Sequence, residues 1–272
     1  MIVTRFAPSP TGPLHLGHAF AAITVDQGGD GFVLRIEDID RTRSRDAFIE
    51  AIFLDLKWLG LSWDEPVLRQ SGRMTVYGGA LARLQEQGLT YPCFCTRADI
   101  AREIAQAGDA PHGHEGPIYP GTCRALSPKI RQARIAAGAP YAIRLDTGRA
   151  AVLTGPLTFL EQGHRRAVDP GHSGDVVIAR KDMPTSYHLS VVVDDAAQGV
   201  TLVTRGEDLL PATHVQRLLQ ALLGLPEPQY AHHRLILNAA GHKFSKRDAA
   251  VTLKSLREAG ATPADIRARI GL

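Results

Sequence analysis

Cysteine is scarce in this chain of 272 residues: three in all, an odd count too small for a secreted disulfide framework. Long hydrophobic runs are missing as well. No uninterrupted apolar stretch approaches the roughly 18 residues that a membrane span needs. The best candidate, residues 189–193, is cut by Asp194 and Asp195. The N-terminus, Met1-Ile2-Val3-Thr4-Arg5-Phe6-Ala7-Pro8, lacks the apolar core of a signal peptide, so a cytoplasmic protein is expected. An excess of one charge sign is also lacking. The 31 Lys and Arg against 28 Asp and Glu leave a net charge of +3, which by itself names no partner. With 44% hydrophobic and 22% charged residues the balance is that of a globular protein, which excludes collagen, coiled coil and disorder. At roughly 150 residues per domain, the length suits two domains or one large one.

Charge distribution says more than its total. Residues 1–100 hold 10 basic and 12 acidic residues, so the positive excess lies in the remainder. Between 124 and 149, six basic residues (Arg124, Lys129, Arg131, Arg134, Arg144, Arg149) accompany a single acid, Asp146. Such a cluster is either a solvated face or a phosphate-binding surface.

The organisation is that of an α/β protein. Ile2-Val3-Thr4-Arg5-Phe6 is a β-branched run stopped by Pro8, and reads as a strand. Three prolines in Pro8-Ser9-Pro10-Thr11-Gly12-Pro13 demand a loop. Residues 15–26 carry Leu16, Ala19, Phe20 and Ile23 on one helical face, and Phe32-Val33-Leu34-Arg35-Ile36 is a second, largely apolar strand. Strand, helix and apolar strand make one βαβ unit of a parallel sheet. Further strands are expected at 175–179, 199–203 and 233–237, with helices at 185–196 and 211–223. The reading is a Rossmann-type, doubly wound parallel sheet with a first half at 1–91 and a second at 174–240. An inserted subdomain occupies 92–173, and a loop with a short helical tail occupies 241–272.

Two motifs carry chemistry. His15-Leu16-Gly17-His18 sits where a strand and loop give way to a helix. Free N–H groups and the positive dipole end make such a terminus a phosphate site. Imidazoles three residues apart share a helix face, and Gly17 leaves room for a nucleotide. The second motif, Lys243-Phe244-Ser245-Lys246-Arg247, places mobile point charges in a loop, suited to a triphosphate whose charge shifts during reaction. Together they indicate attack on the α-phosphate of ATP with loss of pyrophosphate, Mg²⁺ bridging phosphate oxygens.

H-x-G-H followed by K-x-S-K-x resembles the paired signature of class I aminoacyl-tRNA synthetases. Arg5-Phe6-Ala7-Pro8-Ser9-Pro10-Thr11-Gly12 and Leu34-Arg35-Ile36-Glu37-Asp38-Ile39-Asp40-Arg41 are similar to motifs of its glutamyl/glutaminyl branch. The resemblance covers nearly the whole chain. It implies His15, His18, Lys243 and Lys246 as catalytic residues, with Gly17 in the ATP site. It also implies Arg5, Ala7, Ser9, Glu37, Tyr187 and Arg205 as glutamate-binding residues. Charge supports that set: two guanidinium forks suit two carboxylates, and Glu37 suits an ammonium. Only 25 residues follow Arg247, with no anticodon-binding region among them. That pattern resembles truncated members of the branch, which attach glutamate to a queuosine base in tRNA(Asp). The partners so implied are ATP, L-glutamate and the anticodon stem-loop of tRNA(Asp), with a monomeric enzyme.

Cys93-Phe94-Cys95 and Cys123 could be three small buried hydrophobes. C-x-C beside a turn, with a third cysteine in a Gly/Pro-rich segment, fits tetrahedral structural zinc better. General zinc chemistry nominates His112 or His114 as fourth ligand, whereas the resemblance points to Tyr119. A small-molecule nucleotidyltransferase and a catalytically silent RNA-binding paralogue are the rival readings.

Overall fold

A computed structural model describes residues 1–100, 112–113, 116–180, 183–237 and 251–272, with the backbone alone at 112–113 and 116–117. In chain order the elements begin β1 (Val3–Phe6), α1 (Leu16–Gln27), β2 (Gly31–Ile36), α2 (Asp46–Trp58), β3 (Asp64–Arg69) and α3 (Met74–Glu86). Then come β4 (Thr90–Cys93), β5 (His112–Gly113), β6 (Gly116–Pro117), α4 (Pro128–Ala136), β7 (Ala142–Leu145) and α5 (Thr147–Thr154). They continue with β8 (Thr158–Glu161), β9 (His164–Ala167), β10 (Val177–Arg180), α6 (Tyr187–Ala197) and β11 (Leu202–Gly206). The last are α7 (Leu210–Leu223), β12 (Gln229–His233), α8 (Leu253–Glu258) and α9 (Pro263–Ile270). Two compact units result. One comprises Met1–Gly72, Gln198–Leu209 and Pro228–Leu272; the other comprises Arg73–Ala197 and Leu210–Glu227. No helix among the described residues is long and apolar enough to cross a membrane.

The first unit is built on parallel strands. β1 pairs with β2, β2 with β3, and β11 with β12, all parallel. Val3 and Thr201 exchange hydrogen bonds of 2.9 and 3.0 Å, which bring β11 alongside β1. The core forms because α1 turns Leu16, Ala19, Phe20, Ala22, Ile23 and Val25 inward onto Phe32, Leu34 and Ile36 of β2. Alanines at 19 and 22 let the helix lie close to the sheet. The turn between α1 and β2 is tight enough to require glycine: a Cβ on Gly29 would stand 2.8 Å from the Ile2 carbonyl oxygen. The C-terminal helices close this core, Leu253, Ile266 and Ile270 being buried in it. Polar fasteners hold them there. Leu253 N–H donates to the Leu14 carbonyl at 2.8 Å, and Arg257 on α8 donates to Asp55 on α2 at 2.5 Å.

Several sequence expectations shift in register. The strand expected at 233–237 lies earlier, at Gln229–His233, where Tyr230 and His232 alternate inward and pair with β11. The apolar Leu235, Ile236 and Leu237 follow it outside the ladder. The strand expected at 199–203 starts at Leu202, after Gly199 at φ +65° has turned the chain. The strand expected at 175–179 is β10, which pairs antiparallel with β7 and so belongs to another sheet.

The second unit combines an antiparallel sheet, β10-β7-β4, with the β8–β9 hairpin and the mutually packed helices α3, α6 and α7. Every residue from 188 to 195 on α6 is buried, acids included. Asp194, with no exposed surface, accepts hydrogen bonds from Tyr77 Oη at 2.7 Å and Arg73 Nε at 2.8 Å. Asp175, also buried, is a second hub. Its Oδ2 accepts from Tyr91 Oη and from Arg124 Nη1 at 2.9 Å. Its Oδ1 accepts from the Thr147 N–H at 3.0 Å and the Thr147 hydroxyl at 2.8 Å. One carboxylate thereby ties β4, the segment after Cys123 and the start of α5 together. Asp175→Ala strands the buried Tyr91 hydroxyl and Thr147 N–H, and should cost about 3 kcal/mol, read as a lower urea midpoint.

Candidate active site

In the first unit the charged residues gather at the C-terminal ends of parallel strands, where open α/β sheets bind their ligands. Arg5, third residue of β1, is 6% exposed, and its Nη1 donates to the Thr204 carbonyl at 3.0 Å. That carbonyl immediately precedes Arg205 on β11, equally buried, whose Nε donates to His232 Nε2 at 3.1 Å. The Arg205 guanidinium also lies 5.6 Å from the Tyr230 ring centroid. Glu37 follows β2, and its N–H donates to the Pro8 carbonyl at 3.1 Å, which sets it beside the Ala7-Pro8-Ser9 turn. Arg35, fully buried in β2, holds the Glu37 carboxylate at 3.3 Å and Gln198 Oε1 at 3.1 Å. Two guanidiniums and a carboxylate are thus fixed at neighbouring strand ends, with Ala7 and Ser9 in the turn between. This arrangement can hold a small zwitterion that carries an additional carboxylate.

His15 caps α1, and its backbone N–H donates to His18 Nδ1 at 3.1 Å, so that nitrogen of His18 acts as an acceptor. The two rings lie 3.8 Å apart, centroid to centroid. A Cβ on Gly17 would stand 3.1 Å from His15 Cε1, so a side chain there would push the imidazole. A β-bridge joins His15 to Thr252. Lys243 and Lys246 lie outside the described residues, while the chain just beyond them returns to the H-x-G-H segment. Tyr187 belongs to the second unit, where it begins α6, half-buried.

The second unit also contains a candidate metal centre. The Sγ atoms of Cys93, Cys95 and Cys123 all lie within 4.8 Å of one another. Cys95 Sγ is 3.5 Å from Cys123 Sγ and 3.7 Å from Tyr119 Oη. Zinc–sulfur bonds of about 2.3 Å at tetrahedral angles would set sulfurs roughly 3.8 Å apart, so the spacing fits. Local backbone supplies the scaffold: Phe94 N–H donates to Cys123 Sγ at 3.3 Å, and Cys123 N–H donates to Tyr119 Oη at 2.7 Å. Burial pushes the Cys95 thiol up to about 12 and raises the Tyr119 phenol. Burial opposes ionisation of Cys123 too, but the Phe94 N–H and the Tyr119, Cys95 and Cys93 groups outweigh it and lower its pKa. A bound cation would reverse the raised values, because a coordinated thiol is deprotonated outright. The His112 side chain and the whole of His114 lie outside the described residues.

The basic cluster divides. Arg124, Arg131 and Arg144 are engaged internally, with Asp175 Oδ2, the Arg124 carbonyl and the Asp175 carbonyl respectively. Lys129, Arg134 and Arg149 are exposed, and α4, which carries the first two, buries none of its residues.

A family profile described as tRNA synthetases class I (E and Q), catalytic domain, matches residues 1–272. The chain belongs to this family. A protein of Rhodobacter capsulatus named glutamyl-Q tRNA(Asp) synthetase is 52% identical over 291 aligned positions, covering 100% of both chains. One of the same name from Nocardia farcinica is 47% identical, covering 97% of this chain and 82% of that protein. Among solved structures, a glutamate tRNA ligase from Elizabethkingia meningosepticum superposes with a TM-score of 0.74 at 29% identity. That match covers 92% of this chain and 52% of the other, so the chain spans about half that ligase's length. As a class I synthetase the protein is a ligase, and it has the α/β architecture with parallel strands that the motifs imply.

Sequence reasoning missed three residues of these sites. Arg35 had a visible signal, a charge inside an apolar strand. His232 and Asp175 had none, since their roles exist only through partners 27 and 28 or more positions away. Metal-free synthetase titrated with Co²⁺ should saturate at one ion per chain, with a thiolate charge-transfer band that Cys123→Ser abolishes.

Proposed function

We propose that this chain activates L-glutamate with ATP and transfers it to the queuosine nucleoside in the anticodon loop of tRNA(Asp). The observation that carries this reading is the 52% identity, over the whole of both chains, to a protein named glutamyl-Q tRNA(Asp) synthetase. The site chemistry supports the first half. Glutamate brings two carboxylates and an ammonium, which Arg5, Arg205 and Glu37 match in charge, with Ala7 and Ser9 in the turn beside them. A glutamate α-carboxylate oxygen attacks the α-phosphorus of ATP, and the bond to the bridging oxygen breaks to release pyrophosphate. The carboxylate is already ionised, so no protein base is required. Catalysis then rests on positioning and on offsetting phosphate charge by His15, His18, Lys243 and Lys246, with Gly17 leaving room for the nucleotide. Mg²⁺ arriving with ATP neutralises further phosphate charge. In the second step a hydroxyl of the acceptor nucleoside attacks the glutamyl carbonyl, and AMP leaves. The His15–Thr252 bridge supports pairing the two signature motifs, because it holds the chain beyond Lys246 against the first of them.

The cysteine cluster takes structural Zn²⁺, held by Cys93, Cys95, Cys123 and Tyr119. The donor set, three sulfurs and a phenol oxygen in one buried cluster, fits that ion. When bound, zinc would crosslink β4 to the segment after Tyr119. Backbone phosphates of the tRNA would meet Lys129, Arg134 and Arg149 by charge.

Lys246→Ala should lower kcat for ATP–pyrophosphate exchange about a hundredfold and change the glutamate KM little, because its charge acts mostly on the departing pyrophosphate. A KM effect with unchanged kcat would remove Lys246 from that role. The acceptor is tested with radioactive glutamate. An isolated tRNA(Asp) anticodon stem-loop carrying queuosine should be labelled, and whole tRNA(Asp) should keep its label after loss of the 3′ adenosine. Glutamate on the 3′ ribose of tRNA(Glu) would instead make this a minimal acceptor-end synthetase.

A further inference from the structure

Arg144 occupies an unusual position in the second unit. It lies on β7, the central strand of the antiparallel sheet, opposite Tyr91 on one side and Val177 on the other. Its guanidinium carbon stands 3.9 Å from the centroid of the Tyr119 ring, the closest such contact among the described residues. Nη1 donates to the Asp175 carbonyl oxygen at 2.6 Å, so the fork is pinned at one end and laid over the ring at the other. The side chain is half-buried, and no carboxylate among the described residues stands within ion-pair distance of it. Arg124, its basic neighbour, is satisfied by Asp175 Oδ2 at 2.9 Å. A half-buried cation without an anionic partner is costly unless some other negative charge faces it.

The cysteine cluster would supply that charge. Three thiolates and a phenolate around a dication leave an excess of two negative charges in a buried cluster. Among the described residues, the guanidinium flat against the phenol ring is the cation best placed to answer it. Resting on the zinc reading above, we propose that Arg144 is a positioning residue of the metal centre. Its guanidinium holds the Tyr119 ring so that Oη faces the three sulfurs, and offsets the negative charge of the ligand set. Asp175 extends the arrangement, since its backbone oxygen fixes Arg144 while its carboxylate fixes Arg124, the residue after Cys123. Groups supporting metal ligands from behind commonly contribute a factor of about 10 or more to affinity.

Chelator competition on the full chain tests this, with Arg144→Met (similar bulk, no charge), Arg144→Lys (charge without the planar fork), Tyr119→Phe and the Tyr119→Phe/Arg144→Met double variant. Arg144→Met should weaken Zn²⁺ binding about tenfold in the wild-type background and less than about twofold in the Tyr119→Phe background. Arg144→Lys should recover only part of the loss. The ultraviolet difference band of a metal-bound phenolate should appear on loading wild type, shrink in Arg144→Met and be missing in Tyr119→Phe. Melting of each variant in chelator separates loss of fold from loss of metal, and if Arg144→Met does not fold, Arg144→Lys carries the comparison. Unchanged affinity in the Arg144 variants, or an equal loss in both backgrounds, overturns the positioning role and leaves the zinc reading intact. A wild-type chain that binds no Zn²⁺ overturns both.

Discussion

Burying a guanidinium is tolerable only where the protein supplies it with partners, and three arginines of the first unit find theirs at the ends of parallel strands. Arg5, Arg35 and Arg205 are each at most 6% exposed. Their answers are a backbone carbonyl, a glutamine with a glutamate, and a histidine with a tyrosine face. Once those partners are in place, the strands cannot slip by one residue without withdrawing a charge from its acceptor. Register and site are therefore the same constraint. The pairing of Arg205 with His232 also accounts for where β12 lies, because a ladder running from Gln229 to His233 sets the histidine opposite the arginine.

Much of the first unit was legible because its information is local. The βαβ start announces itself through β-branched residues, a proline-rich break and an apolar helical face, and β1, α1 and β2 follow within a residue or two. The family motifs lie in these segments, so residues later drawn to one strand-end cluster could be named from sequence. What was not legible depends on long-range pairing. Leu235, Ile236 and Leu237 are apolar enough to suggest a strand, yet the ladder is decided by β11, more than twenty residues earlier. The sheet to which β10 belongs is likewise fixed by β7, and nothing in Val177-Ile178-Ala179-Arg180 distinguishes a parallel from an antiparallel partner.

The basic segment 124–149 illustrates the limit of counting charge. Six cations in a row of sequence look like one surface. In the folded unit three of them donate to Asp175 and to the backbone of the segment that carries Cys123, although the Arg124 side chain stays 47% exposed. A charge run is an inventory, and burial decides how much of it is offered to a partner. Within that segment Arg124 is held by Asp175 and Arg144 lies over the Tyr119 ring, while Lys129 and Arg134 remain on an exposed helix.

The C-terminal helices bear on the integrity of the first unit as well as on its core. Leu253, Ile266 and Ile270 are as deeply buried as the residues of α1 that they touch, and Arg257 and Leu253 are fastened to Asp55 and Leu14. Arg234, on the near side of residues 238–250, donates in turn to the Ile270 carbonyl at 2.6 Å. The two shores of that stretch are anchored to the same body independently of the peptide bonds between them. A backbone break within 238–250 would therefore yield two fragments that stay together, the shorter one retained as if it were a bound subunit.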